Sequence, residues 1–260
     1  MTADDAADWW GTAVSRIEPN RIELRGIPVQ ELIGSIGFGS MIWLMLRGER
    51  PTDRQAALLE AALVAGVDHG PHAPSIAVAR MAITCGVGLN NAMASAVNTL
   101  GDSHGGAGQE CVMLLTEILD RDGGDLAVAA DEVIAAWRAR GVRYLPGFGH
   151  RFHTHDPRRD PLLALVDAAV ADGVVPGGHL RAARAVETAL NRGRSRPVPM
   201  NIDGATAVIY AELGFPAPLA RGLFVLSRSV GILAHAWEES QQGRRNKGPI
   251  PPAIRPTFLS

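Results

Sequence analysis

The chain is 260 residues long with 25 Lys and Arg against 27 Asp and Glu, a net charge of −2, which excludes the basic excess of a dedicated nucleic-acid binder. That length suits one large or two small domains with a real core, and two cysteines, Cys85 and Cys111, exclude a disulfide framework and fit a reducing, cytoplasmic setting. Apolar residues reach 47% but aromatic ones only 5%, a balance that favours helix over sheet; against it stand 29 Gly and 17 Pro, more than helix ends alone require.

No targeting or membrane segment is predicted: residues 1–10 are acidic and carry two Trp, and the apolar stretch 56–67 is broken by Glu60. Residues 28–48 read as a helix with Leu32, Ile36, Ile42, Leu44, Met45 and Leu46 on its buried face and Gly48 as its stop. Thr52 or Asp53 caps the next, in which Ala56, Leu58, Leu59, Ala62 and Leu63 keep helical spacing. Residues 73–85 and 90–100 are helices rich in small side chains, able to pack closely. Further helices span 110–120, 126–140, 161–171 and 180–191, the first three closed by Gly123, Gly141 and Gly173. A basic loop over 192–199 leads to helices at 205–213 and 219–239. No stretch alternates with period two, so strands are short at most. The proline-rich, basic tail 241–260 is expected to lie over a surface. The fold class is all-α.

Glycine flanks ionisable residues in four of the connections: Asp68-His69-Gly70, Ser103-His104-Gly105-Gly106, Gly147-Phe148-Gly149-His150-Arg151 and Asn201-Ile202-Asp203-Gly204. Glycine there permits positive φ and close approach of backbone to a ligand. His104 precedes a helix that starts near Ala107, and the positive end of a helix favours the neutral imidazole, a good donor to a carbonyl oxygen. Each loop also has a plainer reading: a loop His is most often structural, and Asp203 after Asn201 caps the following helix. Four such loops in one helical chain favour a site. A serine hydrolase is a rival, because Gly101-Asp102-Ser103-His104-Gly105 fits G-x-S-x-G with Asp203 and His235 following; its elbow, however, needs a strand where 90–100 reads as helix. His150, His153 and His155, or His69 and His72, have no Cys or Glu in register for a metal, and no metal site is expected.

Taken in order, the motifs resemble the citrate synthase superfamily. Leu24-Arg25-Gly26 to Pro51-Thr52 is similar to its N-terminal segment, Val67-Asp68-His69-Gly70 to A-D-H-[EG], and Ser103-His104-Gly105-Gly106-Ala107 to H-G-G-A. Pro146-Gly147-Phe148-Gly149-His150-Arg151 with Asp156-Pro157-Arg158 resembles G-[FY]-G-H-R…D-P-R, Asn201-Ile202-Asp203 resembles N-V-D, and Ser227-Arg228-Ser229-Val230-Gly231 with Ala234-His235 resembles A-R-[TS]-x-G-x-x-A-H. The shortness of the chain, Asn201-Ile202-Asp203-Gly204 and the run Gly222-Leu223-Phe224-Val225-Leu226 are similar to citryl-CoA lyases and to the C-terminal module of ATP-citrate lyase, although that module commonly has another residue where this chain keeps His104.

The resemblance implies a helical homodimer or higher homo-oligomer, each chain with a large domain (1–107 and 214–260, with the tail) and an inserted small domain (108–213). It implies chemistry between the α-carbon of an acyl-CoA and the carbonyl of a 2-oxo dicarboxylate such as oxaloacetate, or cleavage of a citrate-like acid on coenzyme A. Asp203 would be the base at the acetyl carbon, His104 the donor to the thioester oxygen, and His150 the acid on the oxo-acid carbonyl. His69, Arg158, Arg228 and Arg255 would hold carboxylates, Arg255 in the neighbouring subunit; arginine suits this because its fork pairs a carboxylate bidentately. Gly147, Phe148, Gly149 and Arg151 would contact coenzyme A. Neither metal nor redox cofactor, nucleic acid nor membrane is implied. The expectation is a citryl-CoA lyase-like enzyme, with citrate or 2-methylcitrate synthase as the alternative and the Ser103 hydrolase or a non-catalytic CoA- or citrate-binding homologue behind them.

Overall fold

The structure, a computed structural model, describes residues 2, 5, 8–149, 155–248, 250–251 and 253–258. They fall into two compact units, Met1–Glu60 and Ala61–Ser260.

The first unit opens with three short antiparallel strands, β1 (Ser15–Glu18), β2 (Arg21–Leu24) and β3 (Ile27–Pro28), in the order β1-β2-β3. Arg25 and Gly26 turn the second hairpin with φ of 52° and 79°, the pair of positive angles that a two-residue type I′ loop demands. Arg25 is pinned in that conformation, its Nε and Nη2 donating to the Met45 carbonyl at 2.9 and 2.6 Å. The single helix expected over 28–48 is in fact two, α1 (Val29–Leu32) and α2 (Phe38–Arg47). Gly34 at φ +79° cannot continue a right-handed helix, and Gly37 is extended as the cap of α2. Helix α2 buries Trp43 and Leu44 and stops at left-handed Gly48, whose N–H returns to the Leu44 carbonyl. Helix α3 (Asp53–Gly66) begins with a capping box: the Gln55 N–H donates to Thr52 Oγ1 at 3.2 Å, and the Thr52 N–H donates to Gln55 Oε1 at 2.9 Å.

In the second unit follow α4 (Pro74–Thr84), α5 (Leu89–Val97), α6 (Ala107–Asp120), α7 (Leu126–Ala139), α8 (Arg159–Ala171), α9 (Gly178–Asn191), α10 (Ile202–Glu212) and α11 (Ala217–Gln242). The all-α expectation holds, with three short strands added. Helix α11 packs on α4, α5 and α6, while α6 also packs on α7, α9 and α10, so α6 belongs to both neighbourhoods. Alanine dominates the first of them: Ala73, Ala79, Ala92, Ala96 and Ala236 close around Ile76, Leu100 and Ile232, and side chains this small let helix backbones approach closely. By length and composition α11 could cross a bilayer, yet α4, α5, α6 and α10 pack against it and it buries Arg228 and Glu239. Beyond left-handed Gly243 the tail turns back over α4, where the N–H groups of Asn246 and Lys247 donate to the Thr84 carbonyl and Oγ1 at 2.9 and 3.0 Å.

Candidate active site

The glycine-flanked loops and the starts of α4, α6, α8 and α10 supply the polar groups, and Arg228 on α11 is their common neighbour. Helix α4 begins Pro74-Ser75, so the Ser75 N–H is one of the first-turn donors that no helical carbonyl accepts. It donates to His104 Nε2 at 3.1 Å, and Ser75 Oγ stands 2.9 Å from the same nitrogen. A nitrogen that accepts a backbone N–H carries a lone pair, so the neutral ring holds its proton on Nδ1. Burial, then the positive Arg228, press the His104 pKa down and keep the imidazole neutral. The two glycines that follow are sterically required: at Gly106 a Cβ would stand 2.6 Å from the Asp102 carbonyl oxygen, and Gly105 has φ +105° against Phe224.

Asp203 lies in the first turn of α10, because that helix starts at Ile202, three residues before the 205–213 that the sequence predicts. Asn201 is the cap, its Oδ1 accepting from the N–H of Asp203 at 2.9 Å and of Gly204 at 3.2 Å. The same Asn201 holds the glycine loop: its N–H donates to the Gly147 carbonyl at 3.0 Å and its Nδ2 to the Gly149 carbonyl at 2.7 Å. Phe148 pairs with Met200 in an isolated antiparallel bridge and is buried. Contact here is so close that a Cβ on Gly204 would stand 2.4 Å from the Gly147 oxygen, and one on Gly147 would stand 2.6 Å from Cys111 Sγ. Burial pushes the Asp203 carboxyl above the ordinary aspartate value, Arg228 and Arg158 pull it down by less, and Asp156 pushes it further up.

Arg158 is aimed by Asp156, a fully buried residue. Its Nε and Nη2 donate to the two carboxylate oxygens at 2.9 Å each, and Oδ2 also accepts the Ile202 N–H at 3.1 Å. One carboxylate thus ties the start of α8 to the start of α10. Burial alone would raise Asp156; the hydrogen bonds and charge of Arg158 and the backbone donors outweigh it and hold the pKa at about 2. Arg228, itself buried, donates from Nε to the Gly66 carbonyl at 3.1 Å and lies over the Phe224 ring at 4.8 Å. Burial lowers its pKa, opposed by the negative Asp203 and Asp68.

Among the expected site residues, His104, Asp203, Arg158 and Arg228 share one electrostatic neighbourhood. His69 follows Asp68 on the segment that Arg228 holds at Gly66. Gly147, Phe148 and Gly149 pack on the start of α10. His150 and Arg151 lie outside the described residues. Arg255 is exposed in the tail, past a turn closed by Ile254 N–H to Pro251 O, and no described contact within this chain joins it to the others. Ser103 is exposed, follows a helix instead of a strand, and its would-be partner His235 bonds Asp68 and Arg80, so the hydrolase arrangement does not form. No group of three or more His, Cys, Asp or Glu among the described residues is placed to hold a metal ion. The sequence alone assigns no separate role to Ser75, Asn201 or Asp156; the signal for Ser75 is Pro74 before it, a residue suited to the first position of a helix.

A neutral imidazole with its proton on Nδ1, a carboxyl biased toward holding a proton, and two guanidiniums equip this helical protein for proton transfer beside an anion. The chain belongs to the citrate synthase family: the citrate synthase C-terminal domain matches residues 44–257. Citryl-CoA lyase from Hydrogenobacter thermophilus superposes with a TM-score of 0.83 at 28% identity, over 96% of this chain and 94% of that one. Citrate synthase from Haloferax volcanii is 28% identical over 85% of this chain and 56% of its own length. The ATP citrate lyase from Methanothrix soehngenii, solved with citrate and coenzyme A, has the same fold, with a TM-score of 0.83 at 20% identity over all of this chain and 45% of that one. The chain spans about half the length of the curated relatives it matches.

Proposed function

We propose that the chain cleaves, and in reverse forms, the carbon–carbon bond of a citryl-CoA-type thioester, yielding an acetyl-CoA-type thioester and a 2-oxo dicarboxylate such as oxaloacetate. The observation that carries this reading is the Ser75 N–H to His104 Nε2 bond, because it leaves an Nδ1–H donor for an enol oxygen. A carboxylate cannot by itself deprotonate a carbon beside a thioester; the oxygen must be stabilised at the same moment.

In cleavage, His150 takes the hydroxyl proton, the hydroxyl carbon becomes a carbonyl, and the bond to the α-carbon breaks. Its electron pair passes into the thioester as an enolate whose oxygen accepts the His104 Nδ1–H, and Asp203 returns a proton to the α-carbon. The raised Asp203 pKa supports that last role, since the group must start protonated. Arg158, Arg228 and His69 hold the carboxylates. Coenzyme A enters as part of the substrate beside Gly147, Phe148, Gly149 and Arg151.

Likeness to a citryl-CoA lyase along nearly the whole of both chains supports cleavage without thioester hydrolysis, and the citrate synthase relatives support the synthase alternative. The reading keeps the partition into 1–107, 108–213 and 214–260, with α6 as the helix shared between the parts, and a homodimer in which Arg255 serves the other copy. Incubation with citryl-CoA, and separately with acetyl-CoA plus oxaloacetate, followed by mass spectrometry, tests it. Acetyl-CoA and oxaloacetate formed from citryl-CoA without free CoA is the expected result. Citrate and free CoA from the second pair would establish the synthase, and no turnover of either would overturn both.

A further inference from the structure

Beneath His69 lies a chain of ionisable groups that the proposed mechanism leaves without a role. Residues 66–68 cross α11 one turn at a time. Arg228 Nε donates to the Gly66 carbonyl at 3.1 Å. Gly231 faces Val67 so closely that a Cβ would stand 2.2 Å from the Val67 oxygen. His235 Nε2 stands 3.3 Å from Asp68 Oδ2. Positions 228, 231 and 235 share one face of the helix, so each holds one successive residue of the segment, and His69 comes next.

The direction of the last bond is set from behind. His235 Nδ1 is 3.3 Å from Arg80 Nη1, and a guanidinium only donates. Nδ1 therefore accepts, and Nε2 carries the proton that it gives to Asp68, the opposite tautomer to that of His104. Arg80 is fixed in turn by Glu238 at 2.7 Å and by the buried Glu239 at 2.6 Å. In front, Asp68 Oδ2 also accepts the Gly70 N–H at 3.1 Å, closing a turn around His69. Asp68 Oδ1 is buried and has no hydrogen-bond partner among the described residues. With that oxygen desolvated, the carboxylate depends on the His235 ring N–H and on the backbone N–H groups of Gly70 and His69.

We propose that His235 is a positioning residue that orients His69 through Asp68, and so controls binding of the 2-oxo acid without acting on the thioester. This rests on the assignment of His69 as a carboxylate ligand. The full chain is compared with His235→Leu, which removes the donor, and His235→Gln, whose amide restores an N–H near the Nε2 position. In the condensation direction His235→Leu is expected to raise KM for oxaloacetate on the order of tenfold, with KM for acetyl-CoA within about twofold and His235→Gln recovering most of the loss. A second readout needs no turnover: the His69 imidazole ¹⁵N resonances should shift in His235→Leu and return in His235→Gln. Unmoved His69 resonances, or equal losses for both substrates that His235→Gln does not rescue, would overturn the proposal. Should His235→Leu fail to fold, Asp68→Asn is read in the same two ways. A wild-type chain that turns over neither substrate pair defeats the proposed function alone, because the resonances still decide the role of His235.

Discussion

An aspartate in the first turn of a helix ordinarily gains from ionising. Asp203 does not, because burial raises its carboxyl by more than Arg228 and Arg158 lower it. A folded-state pKa above the unfolded one means that the ionised form costs stability at neutral pH, and that this cost vanishes as pH falls below the unfolded value. Asp203→Asn is therefore expected to raise the melting temperature at pH 7, by calorimetry, while lowering turnover about 10²- to 10⁴-fold. Cleavage needs protonated Asp203 with neutral His150 and condensation the reverse, the same net protonation. The kcat/KM of the two directions should therefore follow one bell-shaped pH profile; an acid limb that persists unchanged in Asp203→Asn would sink the assignment. His104 offers a companion test. Ser75→Ala keeps the backbone donor and should stay within a few-fold of wild type, whereas His104→Ala should lose about 10²- to 10³-fold in turnover.

Among the elements, the start of α10 joins most of the site. Its cap Asn201 holds the glycine loop, and its Ile202 N–H is held by Asp156. Asp156→Asn removes the charge that Arg158 grips with two bonds and should cost about 2–3 kcal/mol. Because Asp156 titrates at about 2 instead of 3.8, its stabilisation is complete above the higher value and is lost as pH falls toward the lower one. The variant should therefore lack that acid limb in denaturant midpoints measured across this range. The sequence legibly placed the helices, but not their starts at such joints. Asn201-Ile202-Asp203-Gly204 reads as a loop because it ends in glycine, yet Gly204 is helical and serves to let the Gly147 oxygen in. Residues 28–48 read as one helix because the apolar spacing outweighs Gly34, Gly37 and Gly39, until Gly34 is seen at positive φ.

For the whole molecule, the order of the motifs made the family legible, since each motif is contiguous in sequence. The bonds between motifs are not contiguous: Ser75 to His104 spans 29 residues, Asp156 to Ile202 spans 46, and Asp68 to His235 spans 167. No periodicity carries such pairs. The division after Glu60 was equally hidden, because it falls inside α3. Arg255 supplies the test at this scale. If it serves the other copy of a dimer, Asp203→Asn and Arg255→Ala, each inactive alone, should regain about a quarter of wild-type activity after mixing and subunit exchange, as random pairing of two-fold dimers requires. No recovery would place Arg255 outside the partner's site.

The contact between Gly147 and Cys111 has a use of its own. Cys111 is sealed beneath the glycine loop, with burial and then Asp203 pushing its thiol up, away from the reactive thiolate, while Cys85 is exposed. A thiol reagent should modify Cys85 at once and reach Cys111 only when the loop lifts from α6 and α10. The ratio of the two labelling rates is thus a built-in clock for loop opening, and coenzyme A bound beside that loop should slow only the second hand.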